Sequence, residues 1–183
     1  QHGMHFDSRL LQKKVNNYLY LSGYWQSEDY FKDIENVIRE EFKITPPTDS
    51  LNLKMASKIK KTTSVAIHFR FFDNPEVNCS NNVEKSYYDN AICKMREFHK
   101  DAHYFIFSDQ PDTIKENIPL SKNEYTIVNH NHVDESAVFD LWLMSQCDHF
   151  IIANSTFSWW GAWLSLNEEK IIFAPGVKLK EDK

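Results

Sequence analysis

The segment Ser64-Val65-Ala66-Ile67-His68-Phe69 limits the folds open to this chain more than any other. It is apolar at both odd and even positions, so as a strand it has no face to offer water. Such a strand must be covered on both sides, as the central strands of parallel sheets are. The residues that follow alternate between helical and strand patterns. Glu84 to His99 reads as a helix with Tyr88, Ile92, Met95 and Phe98 on one face, and Tyr104 to Phe107 as the next strand. A short helix over Thr113 to Asn117 precedes a strand over Tyr125 to Val128. Then come a helix over Ala137 to Cys147, a strand over Phe150 to Ala153, a helix over Ser158 to Leu166 and a last strand over Ile171 to Phe173. This alternation predicts an α/β fold: a Rossmann-like parallel sheet with helices on both faces and right-handed crossovers. Residues 63–183 are expected to form that domain, and residues 1–62 to lead into it. In the leading segment, Tyr18 to Leu21 is expected as a short strand. A helix capped by Ser27, with Phe31, Ile34, Val37, Ile38 and Phe42 at helical spacing, should end before Pro46-Pro47. A second helix is expected from Ser50 to Lys61.

In an open parallel sheet, ligands gather at the carboxyl ends of the strands. The residues at three of those ends are polar: His68 and Arg70, with Asp73 beyond; Ser108-Asp109; and Asn154-Ser155-Thr156. The last group runs into Phe157 and Ser158, so it is a strand ending in small hydroxyl residues at a helix start. Unbonded N–H groups and the helix dipole make such a corner an anion site. A capped corner with no ligand has the same sequence, and Ser155 or Ser158 would be its cap. Arg70 would add a planar, permanently charged fork for phosphates, or else form a surface ion pair with Asp73. Asp109 could accept hydrogen bonds from a base or ribose edge. Together these groups suit a nucleoside diphosphate.

Composition removes several competing functions. Acidic residues outnumber basic ones 26 to 21, for a formal charge of −5, and no basic block stands out, so nucleic acid and anionic membranes are poor partners. The four glycines, Gly3, Gly23, Gly161 and Gly176, form neither of the common Gly-rich phosphate cradles. That excludes most kinases and nicotinamide dehydrogenases. Cys79, Cys93 and Cys147 are odd in number and widely spaced, which fits free thiols in a reducing compartment. His130, His132, Asp134 and Glu135 lie in an Asn-rich loop without a zinc-like spacing, so no metal is expected there. Trp159, Trp160 and Trp163 fall at helical spacing and read as core before they read as a sugar platform. No apolar run reaches membrane-spanning length.

The stretch from Asp140 through Asn154-Ser-Thr-Phe-Ser-Trp-Trp-Gly-Ala-Trp-Leu164 resembles the C-terminal motif of glycosyltransferase family 11, the alpha-1,2-fucosyltransferases. Tyr104-Phe-Ile-Phe-Ser-Asp-Gln-Pro-Asp112 is similar to that family's F-I-F-S-D-D-P segment. Val65-Ala-Ile-His-Phe-Arg-Phe-Phe-Asp73 is similar to its H-x-R-R-G-D-Y segment. Leu21-Ser-Gly-Tyr-Trp-Gln-Ser-Glu-Asp-Tyr-Phe31 resembles an upstream G-Y-W-Q-S-x-x-Y-F stretch of bacterial members. The four segments keep the family's order and cover about residues 20–175.

The resemblance implies the C-terminal, donor-binding half of a GT-B type glycosyltransferase. The activity it implies is inverting transfer of L-fucose from GDP-fucose to the 2-hydroxyl of a galactose-type acceptor. It implies no metal and no other cofactor. On the matching positions, Arg70 would serve the phosphates and His68 would line the nucleotide site. Ser108 and Asp109 would lie near the guanosine, and Ser155, Thr156, Phe157 and Ser158 would hold the diphosphate. Asp73 is the candidate catalytic base, although Asp-Asn-Pro is also ordinary turn chemistry. The chain departs from the pattern at Phe71, where the second Arg stands, at Phe72, where the Gly stands, and at Gln110, where the second Asp stands. The family's N-terminal G-N-Q-x-F-Q-Y segment has no counterpart. The expected partners are therefore a nucleotide sugar and a glycan. The alternative expectation is a truncated or degenerate GDP-sugar-binding half-domain, inactive alone. The thiols and the lack of an anchor suit a bacterial cytoplasm, with peripheral membrane association left open.

Overall fold

The computed structural model describes residues 6–22, 27–72, 82–114, 118–131 and 136–176. The chain divides into two compact units, Gln1–Lys43 and Ile44–Lys183.

In the N-terminal unit, Asp7 caps a one-turn helix, α1 (Ser8–Leu11), by accepting from the Arg9 N–H. The Asp7 N–H donates to the Tyr30 hydroxyl at 2.8 Å, and the Phe6 and Tyr30 rings meet edge to face at 5.0 Å. Two short 3-10 turns, Glu28–Tyr30 and Lys32–Ile34, lead into α2 (Glu35–Glu41). Ser27 does act as a cap, but of the first 3-10 turn, through the Asp29 N–H. The long helix expected from Ser27 is therefore confined to its second half. The strand expected at Tyr18 to Leu21 does not form. Tyr18 is 98% exposed and Tyr20 91%. β-propensity alone cannot hold a strand that has no neighbouring ladder.

The C-terminal unit is built on five parallel strands: β1 (Ser64–Phe69), β2 (His103–Ser108), β3 (Tyr125–Ile127), β4 (His149–Ile151) and β5 (Ile172–Phe173). Their order is β3-β2-β1-β4-β5. β1 is the centre, and every one of its residues is buried, as its two-sided apolar pattern requires. Alternation along the strands sends their side chains to two cores. Ala66, Phe105, Phe107, Phe150 and Ile152 pack with α3 (Ser50–Ile59), α6 (Ala137–Ser145) and α7 (Thr156–Leu164) on one face. Val65, Ile67, Tyr104, Ile106 and Ile151 pack with α4 (Lys85–Phe98) and α5 (Pro111–Ile114) on the other.

The α6–α7 contact is close because Gly161 carries no side chain. A Cβ there would lie 3.1 Å from Met144 Cβ. α3 is pinned at its start by Asp49, which accepts from the Leu51 and Asn52 N–H groups. The buried Asn52 amide then joins Asn131 and His130, beyond β3, and Asn131 reaches Asp140 on α6. Cys147 is buried and Cys93 exposed, and both are free thiols.

Candidate functional site

The strand order places a topological switch at the middle of the sheet. From β1 the chain steps outward to β2 and then β3, and afterwards returns to the other side of β1 as β4. The crevice between the carboxyl ends of β1 and β4 is where such sheets bind ligands.

Register decides what meets there. Ile67 of β1 lies opposite Ile151 of β4, so Arg70 and Asn154 leave the sheet at the same level on neighbouring strands. On the other side Phe69 lies opposite Ser108, which sets Arg70 beside Asp109. Arg70 Nη1 is 3.0 Å from Asp109 Oδ2, with the two side chains 42% and 24% exposed. Asp109 Oδ1 accepts the Phe71 N–H at 3.2 Å. Ser108 Oγ accepts the Gln110 N–H at 3.0 Å, which turns the chain away from β2. The Arg70 guanidinium also lies over the Phe72 ring, 5.6 Å from its centroid. Asp73, the other partner suggested for Arg70 and the candidate base, lies outside the described residues.

On the β4 side, Ser155 has extended backbone and marks the start of α7, but its own side chain makes no capping bond. The first intrahelical bond runs from the Trp159 N–H to the Ser155 carbonyl at 3.1 Å. The N–H groups of Thr156 and Phe157 therefore have no helical acceptor, and the positive end of the helix dipole faces the strand ends. The helix begins two residues earlier than its sequence suggests. Consequently Ser158 sits inside the first turn, fully buried, and its hydroxyl donates to the Ser155 carbonyl at 3.1 Å and lies 3.4 Å from that of Ala153. Its side chain is turned into the protein, whereas Asn154 and Thr156 are exposed and Ser155 is half-buried.

His68 ties the two sides together. It projects from β1 toward α7, and its ring lies 5.5 Å from that of Phe157 in the first helical turn. It is 5% exposed, and its Nδ1 has no hydrogen-bond partner among the described residues. Burial, aided by the Arg70 charge, lowers its pKa from 6.5 to about 3. The imidazole is thus held neutral, with one unsatisfied polar atom, Nδ1, among the described residues. Buried polar atoms are seldom left without partners, so this open nitrogen is the part of the corner that asks for an explanation.

Sequence reasoning missed the groups that stiffen this corner. Tyr88, read only as part of an apolar helix face, donates its hydroxyl to the His68 carbonyl at 3.1 Å and stacks on Phe69 at 4.1 Å. The Tyr87 hydroxyl lies 2.8 Å from the carbonyls of both Ile152 and Phe173. Burial raises the pKa of both phenols, so they remain protonated donors. The adjacent aromatic pair at a helix start was the available signal. Among the described residues no group of three or more His, Cys, Asp or Glu is arranged to hold a metal ion. Of the histidine-rich loop, His132, Asp134 and Glu135 lie outside the described residues, and His130 bonds the Asn52 amide. No helix among the described residues is long and apolar enough to cross a membrane.

Comparison with known proteins gives this crevice a context. The sequence model described as Glycosyl transferase family 11 matches residues 3–179. An alpha-1,2-colitosyltransferase of Escherichia coli is 33% identical over 181 residues, covering 93% of this chain and 61% of that protein. The Escherichia coli O-antigen biosynthesis glycosyltransferase WbnK is 33% identical over 174 residues, covering 88% of this chain and 56% of its own length. The galactoside alpha-(1,2)-fucosyltransferase 1 of Rattus norvegicus is 28% identical over 159 residues, with 81% and 42% covered. The chain thus spans roughly half the length of these relatives. Among solved structures, the apo form of POFUT1 aligns with 70% of this chain and 47% of its own, at 18% identity and a TM-score of 0.46.

Proposed function

The chain belongs to glycosyltransferase family 11, and on that premise we propose that its C-terminal unit binds the nucleotide-sugar donor of an inverting transferase. The donor proposed is GDP-L-fucose and the acceptor position the 2-hydroxyl of a galactose-type sugar. The unit would be the donor half of a GT-B type enzyme, working in the cytoplasm and without a metal. The observation that carries the reading is the placement of Arg70 and the open start of α7 at neighbouring strand ends of the switch point. A guanidinium and two free N–H groups around one crevice are the donors a diphosphate requires.

The chemistry follows from that geometry. Breaking the bond from the sugar's anomeric carbon to the diphosphate oxygen puts negative charge on the departing GDP. Arg70 and the Thr156 and Phe157 N–H groups are fixed donors for that charge, and loss of one such donor typically lowers kcat by roughly 10²–10³. His68 Nδ1 would complete a hydrogen bond to the bound nucleotide sugar. Asn154 and Ser155 would add polar contacts at the same rim, and Ser158 would hold the turn in shape from within. Asp73 is the proposed base that takes the acceptor hydroxyl proton. A second reading, a GDP-sugar-binding unit without turnover of its own, is favoured by Phe71, which stands where the resembled motif has its second guanidinium, and by Phe72, which stands where it has a glycine.

Calorimetric titration of the intact protein with GDP, GDP-fucose, UDP and ADP tests the reading. The expected result is preference for the guanine nucleotides and at least tenfold weaker GDP binding by Arg70→Ala. Equal affinity for all four, or none for any, refutes it. Release of fucose to a galactoside separates the transferase from the binding-only reading.

A further inference from the structure

We infer that Tyr87 is the positioning residue of the α7 corner: its hydroxyl holds the end of β4 where the sheet itself cannot. The inference rests on the diphosphate reading above and adds to it what fixes the helix start that would grip the phosphates. The ladder between β4 and β5 creates the need. The Phe150 N–H donates to the Ile171 carbonyl and the Ile152 N–H to the Phe173 carbonyl, both at 2.9 Å. In a parallel ladder such bonds alternate with returns from the partner strand, so each strand advances two residues per step. With Phe150 opposite Ile172 and Ile151 opposite Phe173, the return to the Ile152 carbonyl falls to residue 175. Residue 175 is proline, which has no N–H to give. The ladder therefore stops with the carbonyl of a buried residue left over, shortly before Asn154 and the start of α7. Such a carbonyl must find its donor elsewhere. The Tyr87 hydroxyl, reaching across from the first turn of α4, lies 2.8 Å from it. It lies equally close to the Phe173 carbonyl, but the Ile152 N–H already serves that oxygen, so the single phenol proton stabilises most at Ile152.

Beyond Ile152 the corner has a second brace. The Ser158 hydroxyl donates to the Ser155 carbonyl and lies 3.4 Å from that of Ala153. Tyr87 thus holds the corner from the strand side and Ser158 from within, and the Thr156 and Phe157 N–H groups sit on the turn between them. Tyr88, the next residue of α4, donates to the His68 carbonyl at 3.1 Å, just before Arg70. One turn of α4 therefore sets both banks of the crevice, the guanidinium bank through Tyr88 and the helix bank through Tyr87. Hydrogen bonds to a phosphate depend steeply on donor position, and ordering the donors only on binding subtracts from affinity.

The experiment measures GDP affinity by calorimetry for the intact wild type, Tyr87→Phe, Pro175→Ala, the double variant Tyr87→Phe/Pro175→Ala and Arg70→Ala, at a temperature where circular dichroism shows each to be folded. Tyr87→Phe keeps the ring that meets Tyr88 edge to face at 5.0 Å and removes the hydroxyl alone. It should bind GDP about 3- to 10-fold more weakly, the span of one weakened hydrogen bond. Pro175→Ala should bind GDP as the wild type does. In the double variant the new N–H at residue 175 can complete the ladder, so GDP affinity should recover to the wild-type value. A purely structural hydroxyl would lower the melting temperature of Tyr87→Phe and leave the GDP affinity of the folded protein unchanged. That outcome, with Arg70→Ala still binding weakly, overturns the inference and spares the diphosphate reading. A loss that the double variant does not recover also overturns it, because the hydroxyl then acts by a route other than the ladder. Wild-type protein that binds no GDP, or Arg70→Ala that binds it as well as the wild type, overturns the diphosphate reading and the inference with it.

Discussion

Lowering the pH should unfold this protein through His68 in particular, and the size of the effect follows from its surroundings. In an unfolded chain a histidine titrates near 6.5, whereas burial and the Arg70 charge hold the folded His68 near about 3. Between these values the unfolded chain binds a proton that the folded protein refuses. The stability contributed by the neutral ring is therefore complete above pH 6.5, declines as pH falls, and is fully lost below about 3. At pH 5, some 1.5 units under the unfolded value, the loss from this one ring is about 2 kcal/mol, and across the whole interval it approaches about 5 kcal/mol. His103 and His149 are also depressed by burial and add to the same trend. The measurement must therefore be a difference: urea unfolding of wild type and His68→Gln at pH 8 and pH 5. Wild type should lose about 2 kcal/mol more than the variant over that step. The ring proton shifts of His68, followed by NMR in the native protein, should show no titration down to pH 5. Equal pH dependence of the two proteins, or a native His68 titrating near 6, would refute the reasoning. It would mean that the ring is hydrated or ion-paired, and not held neutral behind Phe157 and β1.

Gly161→Ala should destabilise the protein even though alanine favours helix. The new methyl would sit 3.1 Å from Met144 Cβ, which α6 holds in place, so an overpacking cost of roughly 1–3 kcal/mol outweighs a propensity gain of about 1. A thermal melt should show a Tm about 2–4 °C lower, and an unchanged or higher Tm would mean that α6 and α7 can separate freely. Asn52→Ala should remove the buried amide that bonds Asp49, Asn131 and His130, at a cost of about 2–3 kcal/mol. Amide hydrogen exchange should quicken at residues 128–131, and native-like protection there would show that Asn52 is not what anchors them.

The parts of the fold that were legible in the sequence are those governed by one local rule. Ser64 to Phe69 matches β1 at both ends, because a run apolar on both faces is stable only inside a covered sheet. The helices before β2 and β4 could be read from their spacing of apolar residues. Where two local rules competed, the boundaries moved. α7 begins at Thr156 instead of Ser158, since Ser155 and Ser158 are equally good caps in sequence and the spacing alone does not choose between them. Tyr18 to Leu21 has strand propensity but no ladder to join, so propensity did not prevail.

The candidate site divides along the same line. His68, Arg70, Asp109 and the Asn154 to Ser158 corner could be picked out because polar groups after buried strands have few structural reasons to be there. Their chemical classes, and the resemblance they carry to one transferase family, needed no coordinates. Which of them face one another did. Arg70 meets Asp109 because β2 lies beside β1 in a register that puts Phe69 against Ser108. It lies level with α7 because β4 returns to the opposite edge. Pairings across tens of residues depend on strand order and register, which are set by how all the helices and strands pack together. No single segment contains that information, so composition and spacing named the donors, and the packed sheet assembled them around one crevice.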